Sequence, residues 1–463
     1  MNIKHNLNPV IINVAIILFI ISNNCFFAQQ VVDASKYQSV QQALDLNPNT
    51  MVFLSPGEYR ITKPVRLNTE GSGLYGFGKI IQENPDEHII IIEKTKNVRI
   101  RDIKLTRSKV EFDKRAHAVF INNSNSVTLK DVIIENNRST IACVYLLKSN
   151  YCRVEGCEII NYKTITIDDR MHDDLYGYAF NSMDGHGLMA VECNATQIVR
   201  NRIIENELIS TKEFMDKYNL GKIVNRREKL GALEKYGIEN DFVVIWHQGA
   251  GMRITGAGET QFTLIDGNYI ENVSQGLDLH TDHVIVTNNH ITNAYMGMKA
   301  MHGSRGVIIS NNVFQRPGKY GIMLRPGSGS YFAQEAEGNN AGRETNVERG
   351  VIISNNIISD MGFGIEDWRL INDSTDLSYP VGIKLGYGPL PQNPPLQDVI
   401  IEGNIIYDKG LDKVLVNGIP QVVKPRYKYA VWFDNELENK GFHFRGNIFH
   451  PGSLGVSNKE LIP

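Results

Sequence analysis

A chain of 463 residues is long enough for two or three ordinary domains, yet no stretch of it reads as a linker that would divide it. With 48 basic residues against 51 acidic ones the formal charge is only −3, which excludes a nucleic-acid binder that must neutralise many phosphates. Any recognition of acidic ligands therefore has to come from local clustering.

At the front, Lys4 and His5 give a weakly basic start, residues 10–21 form an apolar run, and the small Ala28 precedes Gln29 and Gln30. This three-part layout predicts a secretory signal over residues 1–28 and a mature domain over residues 29–463. The apolar run is shorter than the roughly 20 residues needed to span a bilayer, so no transmembrane segment is expected in the mature chain. Cys25 leaves lipoprotein attachment open, although Ser22, Asn23 and Asn24 are poor company for a lipidation site. The expected location is periplasmic or secreted. Periplasm is preferred because no separate sorting or anchoring domain follows the last predicted coil.

Residues 39–44 (Ser-Val-Gln-Gln-Ala-Leu) read as a short amphipathic helix and are followed by a strand-like run that contains Pro56-Gly57-Glu58-Tyr59. A solenoid end exposes core and strand edges, and a capping helix would cover them. Further on, an apolar triplet, an Asn-containing turn and a second apolar pair recur. Clear copies begin at Val284, Val307 and Val351, and weaker ones at Val127, Ile198, Phe262, Val399 and Phe442. Such short β-branched strands cannot bury a face singly but do so when stacked. The repeated Asn residues are expected to stack as structural amides and carry no functional weight.

The opening helix, the Pro-Gly-x-Tyr turn and the repeated coils resemble the pectate-lyase-like superfamily of right-handed parallel β-helices. That resemblance covers nearly the whole mature chain and specifies fold better than reaction. The expected fold is all-β, a single right-handed parallel β-helix with long inserted loops.

Between the repeated phrases lies a second strand that opens on Gly or Ala, at Ala118, Ala142, Gly187, Gly251, Gly276, Gly297, Gly321, Gly382 and Ala430. Positions one and three after the opening are apolar and are predicted to face inward. Positions two and four must then face out. The first outward column reads Phe120, Val144, Met189, Arg253, Asp278, Lys299, Met323, Lys384 and Trp432. The second reads Asn122, Leu146, Val191, Thr255, His280, Met301, Arg325, Gly386 and Asp434. The early coils are apolar outside and expected to be covered by inserted loops, whereas the middle coils are charged. The openings Gly187 and Gly251 lie 64 residues apart and Gly321 and Gly382 lie 61 apart, against 21 from Gly276 to Gly297, so loops should bracket the middle coils. Residues 226–236 look helical and suit a lid. After cleavage four cysteines remain (Cys143, Cys152, Cys157 and Cys193), with no zinc spacing, and buried thiols are the expected state.

On this register Arg253, Asp278 and Lys299 form one row with His280 and Arg325 beside it, and His302 points near the same patch. Loop contributions are expected from His186, Trp246, His247 and Tyr176. A groove that also carries Lys384 suits an acidic polysaccharide or oligosaccharide bearing uronate or sulfate groups. The chemistry nearest to hand is β-elimination, with His280 or Lys299 as base, Arg325 and Arg253 as carboxylate clamps, and Asp278 orienting its neighbours. This resembles the Lys and Arg pairing of some β-helix polysaccharide lyases. The departing group is a sugar or, at a terminal uronate, water.

A divalent cation such as calcium is an open option. Asp278, His280 and Asp282 would share one side by alternation, but three scattered ligands are weak support. Hydrolysis is the second reading and needs a carboxyl pair, for which Asp278 with Asp282, Asp184, Glu366 or Asp367 would serve. A non-catalytic glycan-binding adhesin is the third.

Overall fold

Runs of two to six residues rich in Val and Ile, each too short to bury a face alone, stack into three long parallel sheets of 13, 12 and 12 strands among the described residues. The computed structural model describes residues 31–112, 114–167, 181–208, 213, 217, 249–256, 258, 260–327, 330–338, 341–362, 380–386, 393–408, 413–416, 418–422, 425–434 and 441–463. The predicted signal and the 226–236 segment lie outside them. Each coil gives one strand to every sheet, so neighbours within a sheet are one coil apart in sequence. One continuous apolar core runs from Ala34 to Phe444. Helix α1 (Val40–Leu46), N-capped by Ser39 Oγ, places Val40, Ala43 and Leu44 in that core.

One of the 12-stranded sheets contains the nine strands expected from the Gly or Ala openings. They are β1 (Val119–Asn122), β2 (Ala142–Leu147), β3 (His186–Val191), β4 (Ala250–Thr255), β5 (Gln275–His280), β6 (Met296–Met301), β7 (Tyr320–Arg325), β8 (Val381–Leu385) and β9 (Tyr429–Phe433). Residue pairing puts Met189, Arg253, Asp278, Lys299, Met323, Lys384 and Trp432 in one outward column, as expected. On β2 the expectation is corrected by one residue. Val119 pairs with Val144 and Phe120 with Tyr145, so Tyr145 and not Val144 faces out. Val144 and Leu146 are fully buried. The physical reason is that β2 is apolar on both faces, so alternation alone left two registers equivalent.

At the openings the chain turns a corner where coils approach closely. A Cβ on Gly297 would sit 2.2 Å from the Gly321 carbonyl oxygen and 2.9 Å from Phe314, and Gly276 meets the Gly297 carbonyl and Ile291 in the same way. At Gly276 and Gly297 only a residue without a side chain fits.

The Asn pairs divide their work. Asn288, Asn311 and Asn355 adopt positive φ of 56°, 57° and 54° in the turn. The following residues form a buried ladder, in which the Asn289 amide donates to Asn312 Oδ1 (2.9 Å), Asn312 to Asn356 (3.0 Å) and Asn356 to Asn404 (2.9 Å). They are structural, as expected. Among the described residues the four cysteines, Cys143, Cys152, Cys157 and Cys193, are buried and free. No helix among the described residues is long and apolar enough to cross a membrane.

Candidate functional site

The charged middle of the outward face is built from consecutive coils. Arg253 on β4, Asp278 on β5 and Lys299 on β6 are direct register partners, and Thr255 on β4 faces His280 on β5. Strand spacing of about 4.8 Å puts their side chains within reach of one another. Asp278 is the meeting point. Its Oδ1 lies 2.9 Å from His280 Nε2 and 3.4 Å from Lys299 Nζ, and its Oδ2 lies 3.6 Å from Arg253 Nε. The His280 approach is close but not aligned as a hydrogen bond. On the other side of the ring, Nδ1 is 3.3 Å from Thr255 Oγ1. His302 packs edge-on against His280, with ring centroids 4.2 Å apart.

Electrostatics follow from burial. Desolvation works to raise the Asp278 carboxyl, but His280, Lys299 and Arg253 outweigh it and hold it well below the usual carboxylate range. For His280 the balance tips the other way: burial pushes its pKa down despite Asp278. Burial, helped by His280 and Lys299, likewise pushes His302 down to about 3.

The remaining expected residues divide into neighbours of this cluster and residues committed elsewhere. Arg325 ends β7 opposite Met301, one coil beyond Lys299, and its Nε is buried with no hydrogen-bond partner among the described residues. His186 is buried at the head of β3, where its Nδ1 accepts the Ala250 amide (3.0 Å). Burial first, then Arg253, pushes its pKa to about 3. Lys384 is two coils past Lys299 and lies 3.5 Å from Asp434, so it stands apart from the cluster. Trp246, His247, Tyr176, Glu366 and Asp367 lie outside the described residues.

Asp282 corrects the expected metal and carboxylate sets. Strand β5 ends at His280, alternation stops there, and Asp282 turns to Arg305, accepting from its backbone amide (3.1 Å) and from Nη2 (2.6 Å). Among the described residues no three His, Cys, Asp or Glu side chains gather to hold a metal ion. Asp184 Oδ1 accepts the Gly185 amide.

Sequence reasoning missed a third column, the residue before each opening, which includes His186, Ala250, Gln275, Met296 and Tyr320. It was hidden because the corner at the opening resets the alternation. Phe120, Tyr145 and Met189 on the early coils are only half-buried, whereas a second apolar cluster lies over the later ones, formed by Met183, Leu208, Met296, Met301, Tyr320 and Met323 among others.

The family described as right handed beta helix region matches residues 243–372, the stretch that carries β4 to β7. Among solved structures, the Agl-KA catalytic domain is similar over 94% of this chain and 68% of its own (TM-score 0.54, 10% identity). The A-module of a mannuronan C-5 epimerase from Azotobacter vinelandii is similar over 93% and 98% (TM-score 0.49, 11% identity), and the Dettilon tailspike protein over 88% and 63% (TM-score 0.49, 10% identity). Among curated proteins none matches the chain in sequence. At 10% identity the likeness to the Agl-KA catalytic domain is one of fold. The chain is a right-handed parallel β-helix, the fold of the pectate-lyase-like superfamily that its sequence resembles.

Proposed function

We propose that this chain is a carbohydrate-active enzyme that cleaves an anionic, uronate-containing glycan by β-elimination. The observation that carries the reading is Asp278, a buried carboxylate held between Arg253, His280 and Lys299 on three successive coils, with the Arg325 guanidinium one coil further on. Of the two candidate bases, Lys299 is the better placed. Both His280 ring nitrogens already face Asp278 and Thr255, whereas Lys299 ends on a flexible stem beside Asp278. In the reaction a neutral Lys299 takes the proton on the carbon next to the substrate carboxylate. Arg325 stabilises the charge that develops there, and the electron pair forms a double bond as the C4–oxygen bond breaks. The proton is returned to the departing oxygen, which leaves as a sugar hydroxyl or as water. Asp278 fixes the Lys299 and Arg253 heads in place. The extracytoplasmic setting suggested by residues 1–28 would bring such an enzyme to exported or imported glycans.

The test is a panel of uronate-containing and sulfated glycans read by ultraviolet absorbance and mass. An unsaturated uronate product, lost in Lys299→Ala, is the expected result. New reducing ends without unsaturation would replace elimination by hydrolysis. Binding with no product from any glycan would make the chain an adhesin.

A further inference from the structure

The outward column does not end at Arg253. Toward the N-terminal coils it continues through Met189 to Tyr145 and Phe120, each the direct register partner of the next. The two aromatic rings are stacked, with centroids 5.5 Å apart and planes inclined by 26°. Behind them His117 packs against both, at 5.4 Å from Phe120 and 5.1 Å from Tyr145, and His88 stacks on His117 at 4.8 Å, nearly parallel. The imidazoles are pinned through their Nδ1 atoms, His117 to the Ala142 carbonyl (2.7 Å) and His88 to the His117 amide (2.9 Å). Burial holds both near a pKa of about 4, so this block of four rings carries no charge at neutral pH. Phe120 and Tyr145 keep part of their surface open. They lie on the same face as the charged cluster, and Phe120 stands three strand spacings, about 14 Å, from Arg253.

We infer that Phe120 and Tyr145 form a stacking subsite for the pyranose rings of the same glycan, on the N-terminal side of the charged centre. The inference rests on the glycan reading given above and adds to it a direction and a composition. The chain lies along the stack of coils, with an anionic unit at Asp278, Lys299 and Arg325 and with sugar units that present C–H faces over the aromatic pair. Aromatic faces suit this role because they pack against apolar ring faces without needing a fixed hydrogen-bond pattern. An uncharged platform also avoids rewarding a second carboxylate there.

The experiment compares hexamers with trimers of the polymer from which the wild-type protein forms an unsaturated product, tried in turn on alginate, polygalacturonate and chondroitin sulfate. The ratio of kcat/KM for hexamer over trimer is expected to fall on the order of fivefold in Phe120→Ala and Tyr145→Ala, through KM more than kcat. Phe120→Leu, which keeps an apolar side chain without a ring, should fall as well, and Tyr145→Phe should keep the wild-type ratio. A ratio unchanged in both alanine variants overturns the subsite, as does a Tyr145→Phe loss equal to that of Tyr145→Ala. If no polymer yields an unsaturated product, the elimination reading fails by itself. The subsite is then judged by electrophoresis through gels containing the same three polymers, where retardation of the wild type beyond Phe120→Leu sustains it and equal mobility overturns it.

Discussion

Asp278 offers its carboxylate to three basic side chains, and removing its charge leaves Arg253 and Lys299 facing each other across a poorly hydrated strand surface. Asp278→Asn keeps the shape and loses the charge. It is expected to lower kcat by about a hundredfold or more. It should also destabilise the fold by roughly 1–3 kcal/mol, less than for a fully buried pair because Arg253 and Lys299 keep part of their surface in water, which a thermal melt alongside the kinetics would read. The two candidate bases are separable by pH. With a folded pKa below its ordinary value, His280 would already be in its basic form near neutrality, and the rate would reach a plateau there. A lysine base instead keeps kcat/KM rising into the alkaline range, which is the expected profile. The types and columns of these residues were readable in the sequence because alternation fixes a side chain's face. The place of Asp282 was not, since the strand ends at His280 and alternation no longer fixes a face beyond it.

Within single strands and turns, two devices carry the geometry. Gly297 sits where any Cβ collides with the Gly321 carbonyl oxygen, which belongs to the backbone and cannot swing away. Gly297→Ala is therefore expected to cost on the order of 2–4 kcal/mol and to shift β6 relative to β7, seen as a lower unfolding temperature and weaker amide protection on both strands. Asn312 is the middle rung of the amide ladder: it donates to Asn356 Oδ1 and the Val286 carbonyl, and its Oδ1 accepts the Asn289 amide and backbone N–H. Asn312→Ala removes these bonds and strands buried donors, with an expected loss of about 2–4 kcal/mol in the same melts. The repeated Asn-Asn pairs announced both roles, the left-handed turn and the ladder, through repetition alone. The β2 register was not announced, because Cys143, Val144, Tyr145 and Leu146 give no polar residue to mark the outer face.

At the scale of the whole solenoid, acid is the predicted weakness. His117 and His186 are held near a pKa of about 4 and about 3 by burial, against about 6.5 in an unfolded chain. A depressed folded pKa means that the unfolded state takes up the proton first. The stabilisation is complete above pH 6.5 and lost as pH falls toward 4, at roughly 3 kcal/mol per pH unit for the two together. A denaturant titration repeated from pH 7 to pH 4 should show a steep fall. Asp278, depressed below the ordinary carboxylate value, adds its own loss only below about pH 4. The three-sheet solenoid itself was readable from the repeat, whereas the second apolar cluster was not. Met183 and Leu208 meet Met301 and Tyr320 across a long separation in the chain that no local pattern encodes.

Because partner residues are set by the rise of the coil, distance along the sequence is irrelevant to distance in the groove. Met189 and Arg253 remain adjacent although 64 positions separate them, just as Asp278 and Lys299 do across 21. A loop can thus grow, shrink or be exchanged without altering the pitch at which functional groups are presented. Inserting or deleting an entire coil would move one half of the row against the other by a single fixed step. The scaffold behaves as a ruler whose unit is the single coil.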